Sequence, residues 1–308
     1  MPPKRPTATI PMERLRIRAL DSLQPLLTLA LDEDIGPGDL TSDVLINTQA
    51  AAKGEILGKA DGVVAGLLFV PSILQRVDAR LQFKPEVEDG AKIAARTVLG
   101  RITGPVRPML TVERTILNFL QSLSGVATFT SLFVAAVAGT DAVILDTRKT
   151  TPGWRYLEKY AVRMGGGTNH RTGLHDGVLI KDNHLAVRAP NHMGETIAGL
   201  VREARSRISE EIPIQVEVEQ VGYLEEVLNS RPDVVLLDNM GVPMIREAVA
   251  MRDRLFGDGG PALEASGGIT LDNVRQVAET GVDRISVGAL THSAPVLDIS
   301  LEVTRAEL

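Results

Sequence analysis

The sequence predicts an α/β protein in two parts: a small α/β domain on an antiparallel sheet, then an open, incomplete β/α barrel. Three observations predict it. Between Ala52 and Thr103, short β-rich runs are punctuated by Asp61-Gly62, Asp89-Gly90 and Gly100. From Ala142 onward, short apolar runs alternate with helical stretches and end in polar residues, as barrel strands do at their carboxyl ends. The stretch from 126 to 293 is also shorter than the roughly 200 residues a full eight-stranded barrel needs, and six runs are convincing as strands. The expected division is 1–125 for the first domain, rejoined by 294–308, and 126–293 for the barrel.

Composition bounds the rest. The 308 residues, 44% apolar and 23% charged, suit two globular domains or one large one. No apolar run of membrane-spanning length is evident, and the M-P-P-K-R-P-T-A-T-I-P start lacks the apolar core of a secretory signal. With no cysteine, thiolate catalysis, thiolate metal sites and disulfides are excluded, which fits a cytoplasmic location. A net charge of −6 and 3% aromatic content argue against a nucleic-acid groove.

Each element can be followed along the chain. After a loose proline-containing tail, Leu20, Leu23, Leu27 and Leu31 recur at helical spacing within residues 15–31. The I-G-P-G-D-L-T-S-D run reads as a solvated loop, since a calcium loop would need its glycine and closing glutamate elsewhere. A short helix should follow Pro71. Thr111 to Leu123 reads as a largely buried helix N-capped by Thr111. Arg114 then falls in its first turn, where the helix dipole disfavours a cation, so it forms a surface salt bridge or reaches for a carboxylate or phosphate. Gly125 should begin the next unit, and Gly139 should close an alanine-rich helix. The barrel runs are 142–146, 178–181, 214–219, 234–238, 262–266 and 284–287. They end in Asp146, Lys181, Glu217 with Glu219, Asp238, Ser266 and Ser286.

The chain is organised around residues 146–184. Arg148, Lys149, His170, Arg171 and Lys181 lie there, with Gly165, Gly166 and Gly167 between them. Single basic residues after strands are ordinarily solvated surface. This density of cations on an acidic protein, beside glycines that let backbone approach a ligand, points to an anionic substrate. Later, Glu264-Ala-Ser-Gly-Gly-Ile269 reads as strand, glycine turn and helix, a phosphate-binding arrangement, and Ser286-Val-Gly-Ala289 would complete that pocket.

The motifs T-R-K-T-T-P-G, G-G-G-T-N-H-R and L-I-K-D-N-H resemble the quinolinate phosphoribosyltransferase family. So do E-D-I-G-P-G-D-L-T-S, E-R-T-I-L-N-F-L-Q-S-L-S-G, V-E-V-E, L-L-D-N-M, E-A-S-G-G-I and V-G-A-L-T-H, in order along nearly the whole chain. Trp154 departs from the leucine the family pattern would place there. The resemblance implies an N-terminal α/β sandwich that the last residues of the chain rejoin. It also implies phosphoribosyl transfer from phosphoribosyl pyrophosphate to quinolinate with decarboxylation, as a step of NAD biosynthesis. By resemblance, Arg148, His170, Arg171 and Lys181 face the quinolinate carboxylates, and Lys149 faces either quinolinate or the pyrophosphate. Glu217 and Asp238 bind the ribose hydroxyls and Mg2+ and stabilise the ribosyl cation, Glu217 being preferred to Glu219. Ser266, Gly267, Gly268, Val287 and Gly288 hold the 5′-phosphate. Arg114 acts across the interface of a homodimer with shared active sites.

Three other readings stay open at this point. A relative of the same fold, associated with molybdenum transport, would use another acceptor. An aldolase-like barrel would use Lys181 as a Schiff base. A non-catalytic phosphosugar-binding protein would leave many of these charged roles unused.

Overall fold

The structure, a computed structural model, describes residues 10–181, 183, 184, 187 and 193–305; residues 1–9 of the expected N-terminal tail lie outside them. The chain forms two compact units. One comprises Pro11–Ser131, Lys149–Gly166 and Ala289–Leu308, and the other includes Leu132–Arg148 and Gly167–Gly288.

The first unit begins with α1 (Met12–Ile35), which buries Leu15, Ala19, Leu23, Leu27 and Leu31, an unbroken i, i+4 stripe. Ala19 takes the place expected of Leu20, which is only half-buried. The run expected as a solvated loop holds a helix, α2 (Leu40–Leu45). Asp39 makes it possible: its Oδ1 accepts the Ser42 amide at 3.0 Å, satisfying a helix N-terminal donor. Four antiparallel strands follow the order β12-β1-β5-β3, with β1 Ala51–Gly58, β3 Gln82–Pro85, β5 Val98–Pro105 and β12 Ile299–Arg305. The chain's last strand therefore returns to pair with β1. A two-stranded ribbon of β2 (Gly62–Val63) and β4 (Lys92–Ile93) completes the strands. Pro71 sits in the first turn of α3 (Val70–Val77), where its missing N–H costs nothing.

The next helix departs most from expectation. α4 (Val106–Ala136) is one continuous helix of 31 residues. It starts five residues before Thr111, whose hydroxyl donates to the Arg107 carbonyl at 3.0 Å and to Asp39 at 3.1 Å instead of capping. Gly125 does not break the helix. It lies inside the helix, where a Cβ would meet the Pro295 carbonyl oxygen at 2.2 Å. The expected domain boundary at 125/126 thus falls within α4, and residues 149–166 cluster with the antiparallel sheet. By length and composition α4 could cross a membrane, contrary to the sequence reading. Burial of Val112, Ile116, Leu117, Phe119, Leu120 and Leu123 accounts for its apolarity. α5 (Arg155–Met164) follows a turn in which Trp154 stacks on Phe119, centroids 4.7 Å apart, so the departure from leucine has a local partner.

The second unit carries six parallel strands in the order β6-β11-β10-β9-β8-β7. They are β6 Val143–Leu145, β7 Val178–Ile180, β8 Ile214–Val218, β9 Val234–Asp238, β10 Ala262–Ser266 and β11 Arg284–Ser286, each within an expected run. β6 and β7 are the two ends of the sheet, so among the described residues it is open. α6 (Met193–Arg207), α7 (Leu224–Asn229), α8 (Val242–Phe256) and α9 (Val274–Ala278) connect its strands.

Strand register then fixes which side chains share a face. Glu217 pairs with Leu236, Leu236 with Glu264, Glu264 with Arg284, and Arg284 with Val143. Two residues further along the same face, Asp238 pairs with Ser266 and Ser286 with Leu145. One face of an otherwise apolar sheet is therefore lined in two polar layers.

Candidate active site

The basic loop is held by its own backbone. Asp146, fully buried at the end of β6, accepts the His170 amide at 2.8 Å and the Asn169 side-chain amide at 2.7 Å. Thr168 bridges to the same strand through Ile144 and Asp146. Downstream, Asp176 accepts the Thr172 amide and hydroxyl, both at 2.7 Å, and the Gly173 amide at 2.9 Å. Burial pushes the Asp176 carboxyl up, and these hydrogen bonds outweigh it, holding the group below its usual range. Two of the three consecutive glycines have structural causes. A Cβ on Gly165 would meet the Ala127 carbonyl at 2.3 Å, and Gly166 turns the chain at φ +86°.

On this frame Arg171 is half-buried. One of its terminal nitrogens donates to the Gly177 carbonyl at 2.8 Å, and its Nε is buried with no hydrogen-bond partner among the described residues. Burial and the neighbouring Arg148 guanidinium push its pKa down, with Asp176 only partly opposing them. A guanidinium stays protonated, so the shift marks an electrostatic position that an anion would relieve. The His170 ring faces protein on both sides: Nδ1 accepts the Arg171 amide at 2.9 Å, and Nε2 lies 3.4 Å from Glu264.

Lys181 follows β7 and donates to Glu217 Oε2 at 2.8 Å. The Glu217 side chain is 9% exposed and the Lys181 side chain 42%, so the lysine reaches a nearly buried carboxylate. Glu219 lies past the end of β8 and is exposed, which leaves Glu217 as the carboxylate beside Lys181. Asp238 closes β9, and its Oδ2 accepts the Asn239 side-chain amide at 2.8 Å. Asn239 has φ +54°, a left-handed conformation that asparagine tolerates.

The glycine turn after Ser266 differs from expectation. Gly267 and Gly268 have φ of +87° and +62°, and a Cβ on Gly267 would meet Asn239 Oδ1 at 2.1 Å. The next helix begins only at Val274 and has five residues, too short and too distant to supply the expected dipole. What the turn itself offers is the backbone amides of a left-handed glycine pair, a concave arrangement able to accept an anion. Beyond β11, the Val287 amide donates to the Leu145 carbonyl at 2.9 Å, leaving Gly288 as the glycine that follows it.

Arg114 and Lys149 belong to the first unit, and both are exposed. The Lys149 carbonyl accepts the Thr291 hydroxyl at 2.7 Å. Because α4 starts at Val106, Arg114 sits in its third turn, and the argument from a misplaced helix dipole lapses.

Sequence reasoning assigned no role to Arg284 and none to Glu264 beyond opening a motif, yet both are buried and joined at 2.7 Å. A charged residue within one apolar strand run (Glu264) and opening the other (Arg284) was the available signal.

Residues 39–124 match the quinolinate phosphoribosyl transferase N-terminal domain, and residues 126–302 match the C-terminal domain. A probable nicotinate-nucleotide pyrophosphorylase (carboxylating) of Bacillus subtilis is 40% identical over 92% of this chain and 93% of its own length. The nicotinate-nucleotide pyrophosphorylase (carboxylating) of Mycobacterium leprae is also 40% identical, over 92% of this chain and 98% of its own. The solved nicotinate-nucleotide pyrophosphorylase of Francisella tularensis superposes with a TM-score of 0.84 at 36% identity, covering 92% of this chain and 97% of that one. With both family domains matched in order and an open parallel sheet carrying the basic loop, this chain belongs to the quinolinate phosphoribosyltransferase family.

Proposed function

We propose that this chain transfers the phosphoribosyl group of phosphoribosyl pyrophosphate to the ring nitrogen of quinolinate. The products are nicotinate mononucleotide, pyrophosphate and carbon dioxide, and the reaction is a step of NAD biosynthesis. The observation that carries this reading is Arg171, a half-buried guanidinium whose charge is disfavoured by burial and by the neighbouring Arg148 guanidinium. A dicarboxylate is the acceptor that turns that cost into binding energy, since each guanidinium matches one carboxylate.

In the reaction, the ring-nitrogen lone pair forms a bond to the ribose anomeric carbon while the carbon–oxygen bond to pyrophosphate breaks. The leaving group takes that electron pair. Glu217 and Asp238, on one face of the sheet, present negative charge to the cationic ribosyl centre. Lys181 holds Glu217 in place and offers its ammonium to a quinolinate carboxylate. Once ribosylated, the ring nitrogen is cationic, so the adjacent carbon–carboxylate bond cleaves with its electrons drawn toward that charge. A proton from solvent then replaces carbon dioxide. The substrate is its own electron sink, and the protein's part is to orient the carboxylates.

Mg2+ fits the donor set, because Glu217 and Asp238 offer hard oxygen ligands to a cation that keeps waters and substrate phosphates. Among the described residues no group of three acidic or imidazole side chains could hold a metal, so the substrate would complete the shell. When bound, the ion neutralises charge on the diphosphate. Ser266, Gly267, Gly268, Val287 and Gly288 take the 5′-phosphate in this reading, and Lys149 takes quinolinate or pyrophosphate. The proposal includes a homodimer in which Arg114 reaches the partner's quinolinate, and a cytoplasmic location, which the cysteine-free sequence supports.

The test supplies quinolinate, phosphoribosyl pyrophosphate and Mg2+ and follows carbon dioxide and nicotinate mononucleotide together, with nicotinate as competing acceptor. Stoichiometric release of both products is expected. A protein that binds the donor yet releases no carbon dioxide from quinolinate overturns the reading and favours a relative with another acceptor.

A further inference from the structure

The reaction as described leaves one buried ion pair unused. Register places Glu264 of β10 opposite Arg284 of β11, and Arg284 Nε donates to Glu264 Oε2 at 2.7 Å. Both side chains are almost fully removed from solvent, at 5% and 0% exposure for Arg284 and Glu264. Such a pair is a poor choice for stability alone, because desolvating two charges offsets most of their attraction. Its second oxygen suggests what it is for. Glu264 Oε1 makes no hydrogen bond among the described residues, and the group that approaches it is Nε2 of His170, 3.4 Å away.

The tautomer of His170 follows from its two neighbours. The Arg171 amide donates to Nδ1 at 2.9 Å, so Nδ1 carries the lone pair and the ring proton resides on Nε2, facing Glu264. Burial pushes the Glu264 carboxyl up, and the His170 ring and Arg284 guanidinium outweigh it, holding the group ionised well below the usual carboxylate range. An arginine has no acceptor atom, so Arg284 can only donate. It thereby keeps the carboxylate an acceptor toward the histidine.

We propose that Glu264, held by Arg284, is a positioning residue for the acceptor site. It fixes His170 as the Nε2–H tautomer, so that Nδ1 accepts the Arg171 amide and seats Arg171 beside Arg148. The chain runs from the floor of the sheet to the loop: Arg284, Glu264, His170, then the Arg171 backbone. This inference rests on the reading of Arg171 as a quinolinate-binding cation, and its test separates the two.

In Glu264→Gln, Arg284 takes the amide oxygen, so the amide NH2 faces His170. Two donors then confront each other unless the ring proton moves to Nδ1, where it meets the Arg171 N–H. Protein labelled with 15N at its five histidines, with His170 assigned by His170→Gln, reports the tautomer without any substrate. We expect one form in wild type, with Nδ1 as acceptor and the proton on Nε2, and loss of that form in Glu264→Gln. The KM for quinolinate should rise about ten- to a hundred-fold, as for a displaced binding group, while the KM for phosphoribosyl pyrophosphate stays within about two-fold.

A double variant, Glu264→Met with Arg284→Met, removes both buried charges and keeps the test available where Glu264→Gln does not fold. A merely structural pair predicts that this folded double variant recovers both thermal stability and quinolinate KM. Positioning predicts recovered stability with KM still raised and the single tautomer lost. An unchanged His170 signal and unchanged quinolinate KM in either folded variant overturns the inference. If wild type fails to use quinolinate at all, the proposed function falls, and the substrate-free tautomer measurement still decides this point.

Discussion

Replacing Arg171 by Met should weaken the enzyme while leaving the empty protein no less stable. In the folded chain the Arg171 guanidinium is half-buried, its Nε has no hydrogen-bond partner among the described residues, and Arg148 repels it. Its pKa is lowered by folding, so the charged form is disfavoured in the native state. That cost is present at every pH below the lowered value, which includes all working conditions. Methionine keeps the aliphatic packing and removes the charge, giving an unliganded Tm at or above wild type. Function moves the other way. Losing the partner of one buried carboxylate costs about 2–5 kcal/mol, or roughly thirty-fold to several thousand-fold in kcat/KM for quinolinate. Wild type should prefer quinolinate to nicotinate by a similar factor, and the variant should show that preference compressed. Competition assays with the two acceptors, beside thermal melts without substrate, measure all three quantities. A variant with lower Tm and undiminished preference would refute the reasoning, because Arg171 would then be a structural residue.

The remaining expectations address other parts of the chain. Asp238→Asn preserves shape and removes charge from the ribosyl centre, so turnover should fall with little change in quinolinate binding; the opposite split would move Asp238 to the acceptor pocket. Gly125→Ala tests packing against propensity. Alanine gains about 1 kcal/mol in a helix interior, but a Cβ only 2.2 Å from the Pro295 carbonyl should reverse the sign. A net loss of about 1–3 kcal/mol is expected by denaturant titration, and a stabilised variant would mean that the 295–297 segment yields. For the proposed dimer, inactive Arg114→Ala and Lys181→Ala subunits refolded together should recover about a quarter of wild-type activity, because half the dimers carry one intact composite site. No recovery, with mixed dimers demonstrated by mass, would rule out a shared site.

Much of this protein was legible before any tertiary contact was known, and the reason is locality. The six strand runs of the open sheet were readable because buried parallel strands are short apolar runs with polar ends, a pattern carried by each segment alone. The basic loop was readable as a motif because its residues are close in sequence. Boundaries that depend on distant partners were not. Gly125 looks like a break until the Pro295 backbone is seen against it, and Thr111 looks like a cap until Arg107 is seen one turn earlier. The 35–43 run looks like a loop because the helix that begins in it is short and held by one capping carboxylate. The site divides in the same way. Sequence by itself determined which cations and carboxylates the chain offers, at strand ends where a barrel-like sheet presents them. Only the tertiary structure decided that Glu217 and not Glu219 meets Lys181, and that His170 has both ring nitrogens turned to protein. It alone joined Glu264 to Arg284, because register between strands twenty residues apart sets which side chains share a face.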